Sequence, residues 1–194
     1  QNVEDSILDK VFKKTKKVAN YRALTEKKHC IYYRNVGGLY WKIITDIAPL
    51  FYEDGKKSTS SRESHLFLQD KDLKSIILSL FNSNLFWYYY NMTSDCWSLN
   101  PSDLWGMPIN IDEMTKKMKD ELINSSSSLM KDLQKNATWA ERVHKGKNQT
   151  RFQQFTPRIS KPLIDEIDTV LAEHYGFTEE ELDFIINYDI KYRM

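Results

Sequence analysis

Residues 30–44, CIYYRNVGGLYWKII, contain two runs of β-forming residues on either side of a glycine pair. The first run, CIYYR, precedes Gly37-Gly38, and the second run, LYWKII, follows it. Glycine adopts the positive φ that a tight turn between antiparallel strands requires. The stretch therefore predicts a β-hairpin, which places a sheet in the first half of the chain.

Helical patterns lie on both sides of this hairpin. Apolar residues recur at three- and four-residue spacing, which is the periodicity of an amphipathic helix. The predicted helices cover residues 3–18, 70–81, 85–90, 112–134, 161–173 and 178–187. Asp112 is the predicted N-cap of the fourth helix, and Gly176 is placed to end the fifth. Thr178 and Glu181 predict a capping box for the sixth.

These elements predict an α+β fold. β-type sequence lies in residues 21–110, which include a further strand at 64–68 and a polar loop at 53–64. Residues 1–20 are predicted to form an N-terminal helix or linker, and residues 111–194 a helical C-terminal extension. The sheet and its flanking helices are therefore expected in the middle of the chain.

Composition excludes several classes of protein. The 194 residues are 41% hydrophobic and 13% aromatic, which is enough for a packed core and unlike a disordered chain. A membrane span needs about 20 consecutive apolar residues, and the longest apolar runs here are interrupted by Asn82-Ser83-Asn84. Two cysteines and no recognisable leader predict a reduced, cytoplasmic protein. Because the chain opens with Gln rather than Met, we expect a segment of a longer protein.

Charge is unevenly distributed along the chain. Residues 1–70 carry a net charge of +4, residues 71–158 carry +3, and residues 159–194 carry −6. Lysine and arginine displace condensed counterions from phosphates, so the basic part favours a nucleic-acid partner. The N-terminal lysines could equally well solvate one face of a helix. The gradient itself indicates two surfaces with different partners.

No complete catalytic motif is present. DNA amino-methyltransferases need Asn/Asp-Pro-Pro-Tyr/Phe, in which polar groups accept from the target amino group and the ring stacks on the flipped base. Asn100-Pro101-Ser102-Asp103 shares only its first two residues with that motif. The chain also lacks a glycine-rich loop for a nucleotide cofactor. We interpret the tetrapeptide as a turn or helix start.

Metal-dependent chemistry has little support either. The four histidines are scattered and lack zinc-ligand spacing. A magnesium nuclease would need carboxylates and a lysine that converge on the metal, and Glu26-Lys27-Lys28 and Asp189-Ile190-Lys191 fit only the loosest triplet. We therefore predict neither a catalytic residue nor a metal ligand in this chain.

A binding surface is the remaining candidate. Arg and Asn can form paired hydrogen bonds with guanine and adenine edges, and Lys, Tyr and Ser suit phosphates. Such residues are concentrated between positions 34 and 62. The predicted DNA contacts are Arg34, Asn35, Tyr40, Lys42, Lys56, Lys57, Ser60 and Arg62. The same residues would be ordinary in an exposed loop without a ligand.

Several segments together resemble the target-recognition domains of bacterial restriction–modification enzymes. YRNVGGLYW at 33–41 resembles an early hairpin of these domains, and FNSNLFWY at 81–88 resembles their helix junction. LNPSDL at 99–104, followed by MPI at 107–109, resembles the segment that closes them. The glycine pair and the Asn82-Ser83 pair match parts of these motifs that are expected to be architectural.

The C-terminal region carries the most specific part of the resemblance. KPLIDEID at 161–168, HYGF at 174–177 and DFIINYDIKYR at 183–193 resemble the tail of type IIG-like restriction–modification proteins. That tail follows an adenine-specific methyltransferase domain and its recognition domain. The resemblance covers residues 30 to 194.

The resemblance implies that this chain recognises double-stranded DNA and leaves catalysis to a domain that precedes it. That domain would bind S-adenosylmethionine, with Mg²⁺ where an endonuclease is fused, whereas this chain would need no cofactor. Residues 1–20 would lead from the catalytic domain to a β-rich target-recognition domain at 21–110. The partners would be duplex DNA and the catalytic domain. The acidic extension, 111–194, is expected to pack on one of the two domains.

A protein–protein interaction module is the competing interpretation. The aromatic run Phe86-Trp87-Tyr88-Tyr89-Tyr90 would then be an exposed docking patch rather than part of the core. Salt separates the two interpretations, since binding to phosphates weakens steeply as salt rises and an apolar interface barely responds.

Overall fold

The structure is a computed structural model that describes residues 2–36, 43–143 and 149–188. Its helices and antiparallel sheets confirm the predicted α+β class. Within the described residues the α-helices are α1 (Val3–Phe12), α2 (Lys71–Phe81), α3 (Asn84–Thr93), α4 (Pro101–Trp105), α5 (Lys116–Lys135), α6 (Lys161–Tyr175) and α7 (Glu179–Asn187). The strands there are β1 (His29–Arg34), β2 (Ile44–Thr45), β3 (Phe51–Glu53), β4 (Lys56–Ser58), β5 (Glu63–Leu68), β6 (Thr138–Val143) and β7 (Gln149–Gln154).

The first sheet has the strand order β2-β1-β5, and all neighbours are antiparallel. Ile31 and Tyr33 of β1 are buried, as are Leu66 and Leu68 of β5, and each alternates with a more exposed residue. This alternation is typical of a sheet with one face on a core. The predicted strands at 30–34 and 64–68 are thus confirmed. The turn predicted at Gly37-Gly38 lies outside the described residues.

The junction between α2 and α3 fixes this sheet to the helices. Asn82 is fully buried, donates from Nδ2 to the Ile44 carbonyl at 2.8 Å and accepts from the Ile44 amide at 3.1 Å. Ser83 caps α3 by accepting from the Phe86 amide at 3.0 Å. The Asn-Ser pair is therefore architectural, since it satisfies backbone groups that would otherwise be buried without partners.

The helices surround one hydrophobic core. α5 packs against α2 and α6, and it buries Leu122, Leu129 and Leu133. The N-cap of α5 is Thr115, which accepts from the Met118 amide at 3.2 Å. The sequence prediction of Asp112 as this cap was wrong, because residues 111–113 form a 3₁₀ turn before the helix begins.

The end of α6 and the start of α7 follow the sequence prediction. Gly176 ends α6 with φ of 70°, in the left-handed region that favours glycine. Thr178 accepts from the Glu181 amide at 3.2 Å, and the Glu181 carboxylate accepts from the Thr178 amide at 2.6 Å. The capping box is confirmed.

The second sheet has the strand order β4-β3-β7-β6. Its β3–β4 hairpin occupies part of the stretch predicted to be a polar loop, and Asp54 and Gly55 form the turn with φ of 48° and 77°. Its β6–β7 hairpin lies in the extension that was predicted to be helical. Because β3 pairs with β7, residues before and after position 110 share this sheet.

Candidate nucleic-acid interface

The second sheet differs from an ordinary core sheet in that no side chain of its four strands is buried. Even its large apolar residues reach solvent: Trp139 is 44% exposed and Val143 is 77% exposed. A sheet with two accessible faces gains little from apolar burial and presents its side chains to a partner instead. This sheet is therefore the leading candidate for a binding surface.

Adjacent residues of each strand point to opposite faces, so the strand register assigns the side chains to two sets. Arg142 pairs with Thr150, Thr150 with Glu53, and Glu53 with Lys56, and these four share one face. We call it the arginine face. The other face carries the row Glu141, Arg151, Tyr52 and Lys57. Trp139 lies on it too, because it is two residues before Glu141 in β6. We call this the tryptophan face.

The charges of Arg62 and Arg142 both act on the guanidinium of Arg34. Arg34 ends β1, and Arg62 precedes β5, with its carbonyl accepting from the Asn35 amide at 3.0 Å. Burial lowers the pKa of the Arg34 guanidinium, and the positive charges of Arg62 and Arg142 lower it further. Both arginines must therefore lie near enough to Arg34 to repel it, and an anion bound there would relieve the repulsion.

These cations contrast with the lysines of the N-terminal segment. Lys10 pairs with Glu181 at 2.6 Å and Lys14 with Glu113 at 2.9 Å, and Lys16 pairs with Asp112. Arg34, Lys56, Lys57, Arg62 and Arg142 form no ion pair with any residue that the structure describes. Several N-terminal lysines are thus compensated inside the molecule, whereas these five cations around the second sheet are not; the exposed Lys13, Lys17 and Arg22 elsewhere likewise form no ion pair with a described residue.

The structure distributes the predicted contact residues unevenly. Arg34 and Arg62 are exposed and neighbouring, and Lys56 lies on the arginine face. Lys57 is exposed but lies on the opposite face. The predicted contacts Tyr40 and Lys42 lie outside the described residues.

Asn35 and Ser60 hold the local backbone. The Asn35 side chain is half-buried and donates to the Ser64 hydroxyl at 3.3 Å, while the Asn35 carbonyl accepts from the Leu99 amide at 3.1 Å. The Ser60 hydroxyl accepts from the Arg62 amide at 3.3 Å. Both residues therefore position the exposed arginines, a role that leaves fewer of their polar atoms for a ligand.

Sequence reasoning missed Arg142, Arg151, Tyr52 and Trp139. They come together only because β7 pairs with β3 across nearly a hundred residues of sequence. The Asp54-Gly55 dipeptide was a usable signal, since Asp-Gly between short β-type runs favours a two-residue hairpin turn.

The aromatic run proposed as a docking patch belongs to the core. Phe86 to Tyr90 are each between 0% and 6% exposed. Tyr88 also contacts Phe184 and Tyr188 edge-on at centroid distances of 5.7 Å and 4.9 Å. The run therefore offers no surface to a partner protein, and this part of the competing interpretation was wrong.

The acidic C-terminal helices pack on the same body. α6 contacts α2, α3 and α5, and α7 contacts α1 and α3. Asp168 of α6 is buried and accepts from the Asn84 and Leu85 amides, each at 2.9 Å, at the start of α3. These helices therefore belong to the packed body, on the region predicted to be the recognition domain.

Other sequence candidates gain no support as reactive sites. Asn100-Pro101-Ser102-Asp103 begins α4, where the Asp103 carboxylate accepts from the Asn100 amide at 2.7 Å. Glu26 pairs with Lys28, and Asp189-Ile190-Lys191 lies outside the described residues. In the described ranges no three His, Cys, Asp or Glu residues are grouped as metal ligands would be. None of the described helices is both long and apolar enough to cross a bilayer.

Comparisons with protein-family models, curated proteins and solved structures found no match to this chain. The resemblance to target-recognition domains therefore stays a prediction from the sequence.

Proposed function

We propose that this chain is a DNA-binding domain that grips duplex DNA with the cations around the arginine face. The observation that carries the proposal is a grouping of exposed cations that form no ion pair with a described residue: Arg62 and Arg142 act electrostatically on Arg34, and Lys56 shares a sheet face with Arg142. Cations that no carboxylate neutralises gain most from a phosphate, because a charged hydrogen bond and counterion release act together.

The placement of these cations on two neighbouring sheets supports the proposal. Arg34 ends β1 and Arg62 directly precedes β5 in the sheet that packs on the core, and the second sheet brings Arg142 within electrostatic range of Arg34, with Lys56 on the same face as Arg142. Phosphate contacts of this kind position a domain on the duplex, and base contacts from the same surface would select a sequence. In the larger proposal, a cytoplasmic adenine-specific methyltransferase of a restriction–modification system supplies the S-adenosylmethionine site on another domain.

The test compares charge-neutralised variants of the full chain. One variant carries Arg34→Gln, Arg62→Gln and Arg142→Gln. The control removes the same number of charges through Lys116→Gln, Lys117→Gln and Lys131→Gln, at three exposed lysines of α5. Fluorescence anisotropy measures binding to a labelled duplex of mixed sequence.

We expect the arginine variant to bind duplex at least about tenfold more weakly, because a hydrogen bond to a charged group contributes roughly 1.5 kcal/mol or more. The control should bind like the wild type. Equal losses in both variants would mean that only overall charge matters, and an unchanged arginine variant would contradict the proposal.

A further inference from the structure

The tryptophan face carries a second arrangement, which is separate from the cations around the arginine face. The guanidinium carbon of Arg151 lies 4.5 Å from the centroid of the Trp139 ring. The Tyr52 ring lies 5.9 Å from the Trp139 ring at an interplanar angle of 55°. An indole, a guanidinium and a phenol are thus grouped on an exposed sheet face.

This grouping has the chemistry of a stacking platform for a nucleobase. Bases that have left a helix stack on aromatic rings and on arginine planes, and such stacking tolerates any base because each has a π-face. Lys57 follows Tyr52 in the same cross-strand row, so it lies at the edge of the platform and can meet a backbone phosphate.

The surroundings of the platform also provide room and a hydrogen-bond acceptor. An open depression of about 350 Å³ is lined by Tyr52, Gly55, Glu141, Gln149 and Arg151. Gly55 leaves space there, since a Cβ at this position would have no atom within 4 Å. The Glu141 carboxylate lies 3.7 Å from Arg151 and can accept from an exocyclic amino group such as that of cytosine.

We infer that the tryptophan face binds one unpaired base of DNA, stacked on the Trp139 ring and flanked by Arg151 and Tyr52, with Glu141 accepting from the amino group of the base. The inference rests on the proposed function, in which the arginine face brings the DNA to the molecule. The ligand of the tryptophan face differs from that of the arginine face. A fully paired duplex keeps its bases stacked on one another, so it offers phosphates but no free base face.

The experiment uses the full chain and three DNA probes: a perfect duplex, the same duplex with one extra unpaired cytosine, and the same duplex with one extra unpaired thymine. Affinities are measured by anisotropy for the wild type and for Trp139→Ala, Trp139→Phe and Trp97→Ala. Trp97 is a matched control because it is 69% exposed and lies between α3 and α4 rather than on the second sheet.

We expect the wild type to bind the cytosine-bulged duplex about tenfold more tightly than the perfect one, the size of effect that stacking of one base provides. Trp139→Ala should remove this preference and Trp139→Phe should retain part of it, while Trp97→Ala should leave it intact. A preference that survives Trp139→Ala, or is lost equally in Trp97→Ala, would overturn the inference. A bulged thymine that binds as tightly as cytosine would overturn the role of Glu141.

The same data separate this inference from the proposed function. The triple arginine variant should weaken binding to all three probes and leave the preference for the bulge unchanged. If the wild type does not bind the perfect duplex but binds the bulged one, and Trp139→Ala abolishes that binding, the proposed function is wrong and the stacking site is supported. If no probe binds, both are wrong.

Discussion

The two sheets of this molecule are built from similar short antiparallel strands and have opposite surroundings. The first sheet buries Ile31, Tyr33, Leu66 and Leu68 against helices, whereas the second sheet buries no side chain of its strands. Burial of apolar area is the main favourable contribution to folding, so the first sheet contributes to stability and the second has side chains available for binding. The difference teaches that two sheets of similar strand topology can differ in exposure and in unpaired charge, and the proposed site is placed on the second sheet for that reason.

The largest expected effect contrasts one aliphatic residue from each sheet. Ile31→Ala in the first sheet removes a fully buried side chain and should lower the free energy of unfolding by about 3 kcal/mol. Val143→Ala in the second sheet removes a side chain that is 77% exposed and should change it by less than about 0.5 kcal/mol. Urea unfolding measures both, and similar losses would remove the distinction between the sheets.

A second prediction concerns the pH dependence of the packed body. Burial and, to a smaller extent, the charge of Lys14 lower the pKa of His174 to about 4, although Glu113 opposes the shift. An unfolded histidine titrates near 6.5. Between these pH values the unfolded chain binds a proton that folded His174 does not, so stability is lost as pH falls from about 6.5 towards 4.

His174→Gln should abolish this contribution. Relative to the variant, the wild type should lose roughly 3 kcal/mol of unfolding free energy between pH 7 and pH 4. Comparing the two proteins at each pH cancels the contributions of the other titrating groups. One of them is Asp168: burial raises its pKa to about 7, so its effect on stability has the opposite sign. A constant difference across this range would contradict the assignment.

The next prediction separates paired from unpaired cations. Lys10→Met leaves the Glu181 carboxylate, which is 5% exposed, without its 2.6 Å partner. We expect a loss of about 2 kcal/mol in unfolding free energy and no measurable change in duplex affinity. Weaker DNA binding in a variant that is still folded would show that the N-terminal lysines also contact phosphates.

The smallest effect is a local one in the second sheet. Gly55→Ala places a side chain at φ of 77°, which costs about 1 kcal/mol even though the space is open. Amide hydrogen exchange should become faster in β3 and β4 while the global unfolding midpoint stays unchanged, and Ser58→Ala serves as the control. A shift of the global midpoint would mean that the second sheet unfolds together with the core.

The sequence was most informative where burial imposes a period. Helical spacing predicted α2, α6 and α7, and capping chemistry predicted the roles of Gly176 and Thr178. The β6–β7 hairpin was not predicted, because TWAERV and QTRFQQ have no apolar face that alternates with a polar one. Strands without a buried face leave no periodic signal.

The candidate site followed the same pattern. Arg34, Lys56 and Arg62 could be named from their local sequence, but the split of Lys56 and Lys57 between two faces depends on strand register. Arg142 comes within electrostatic range of Arg34 in a fold where the β6–β7 hairpin pairs with the distant strand β3. A single sequence contains no information about such pairing beyond its turn signals.

The salt dependence of duplex binding tests the central claim most directly. The wild type and the triple variant Arg34→Gln, Arg62→Gln, Arg142→Gln are compared between about 50 and 200 mM salt, where binding through phosphates weakens steeply. We expect the slope of log affinity against log salt to become shallower in the variant by about 0.9 for each phosphate that is no longer neutralised. Identical slopes for the two proteins, or wild-type binding that does not respond to salt, would contradict the account.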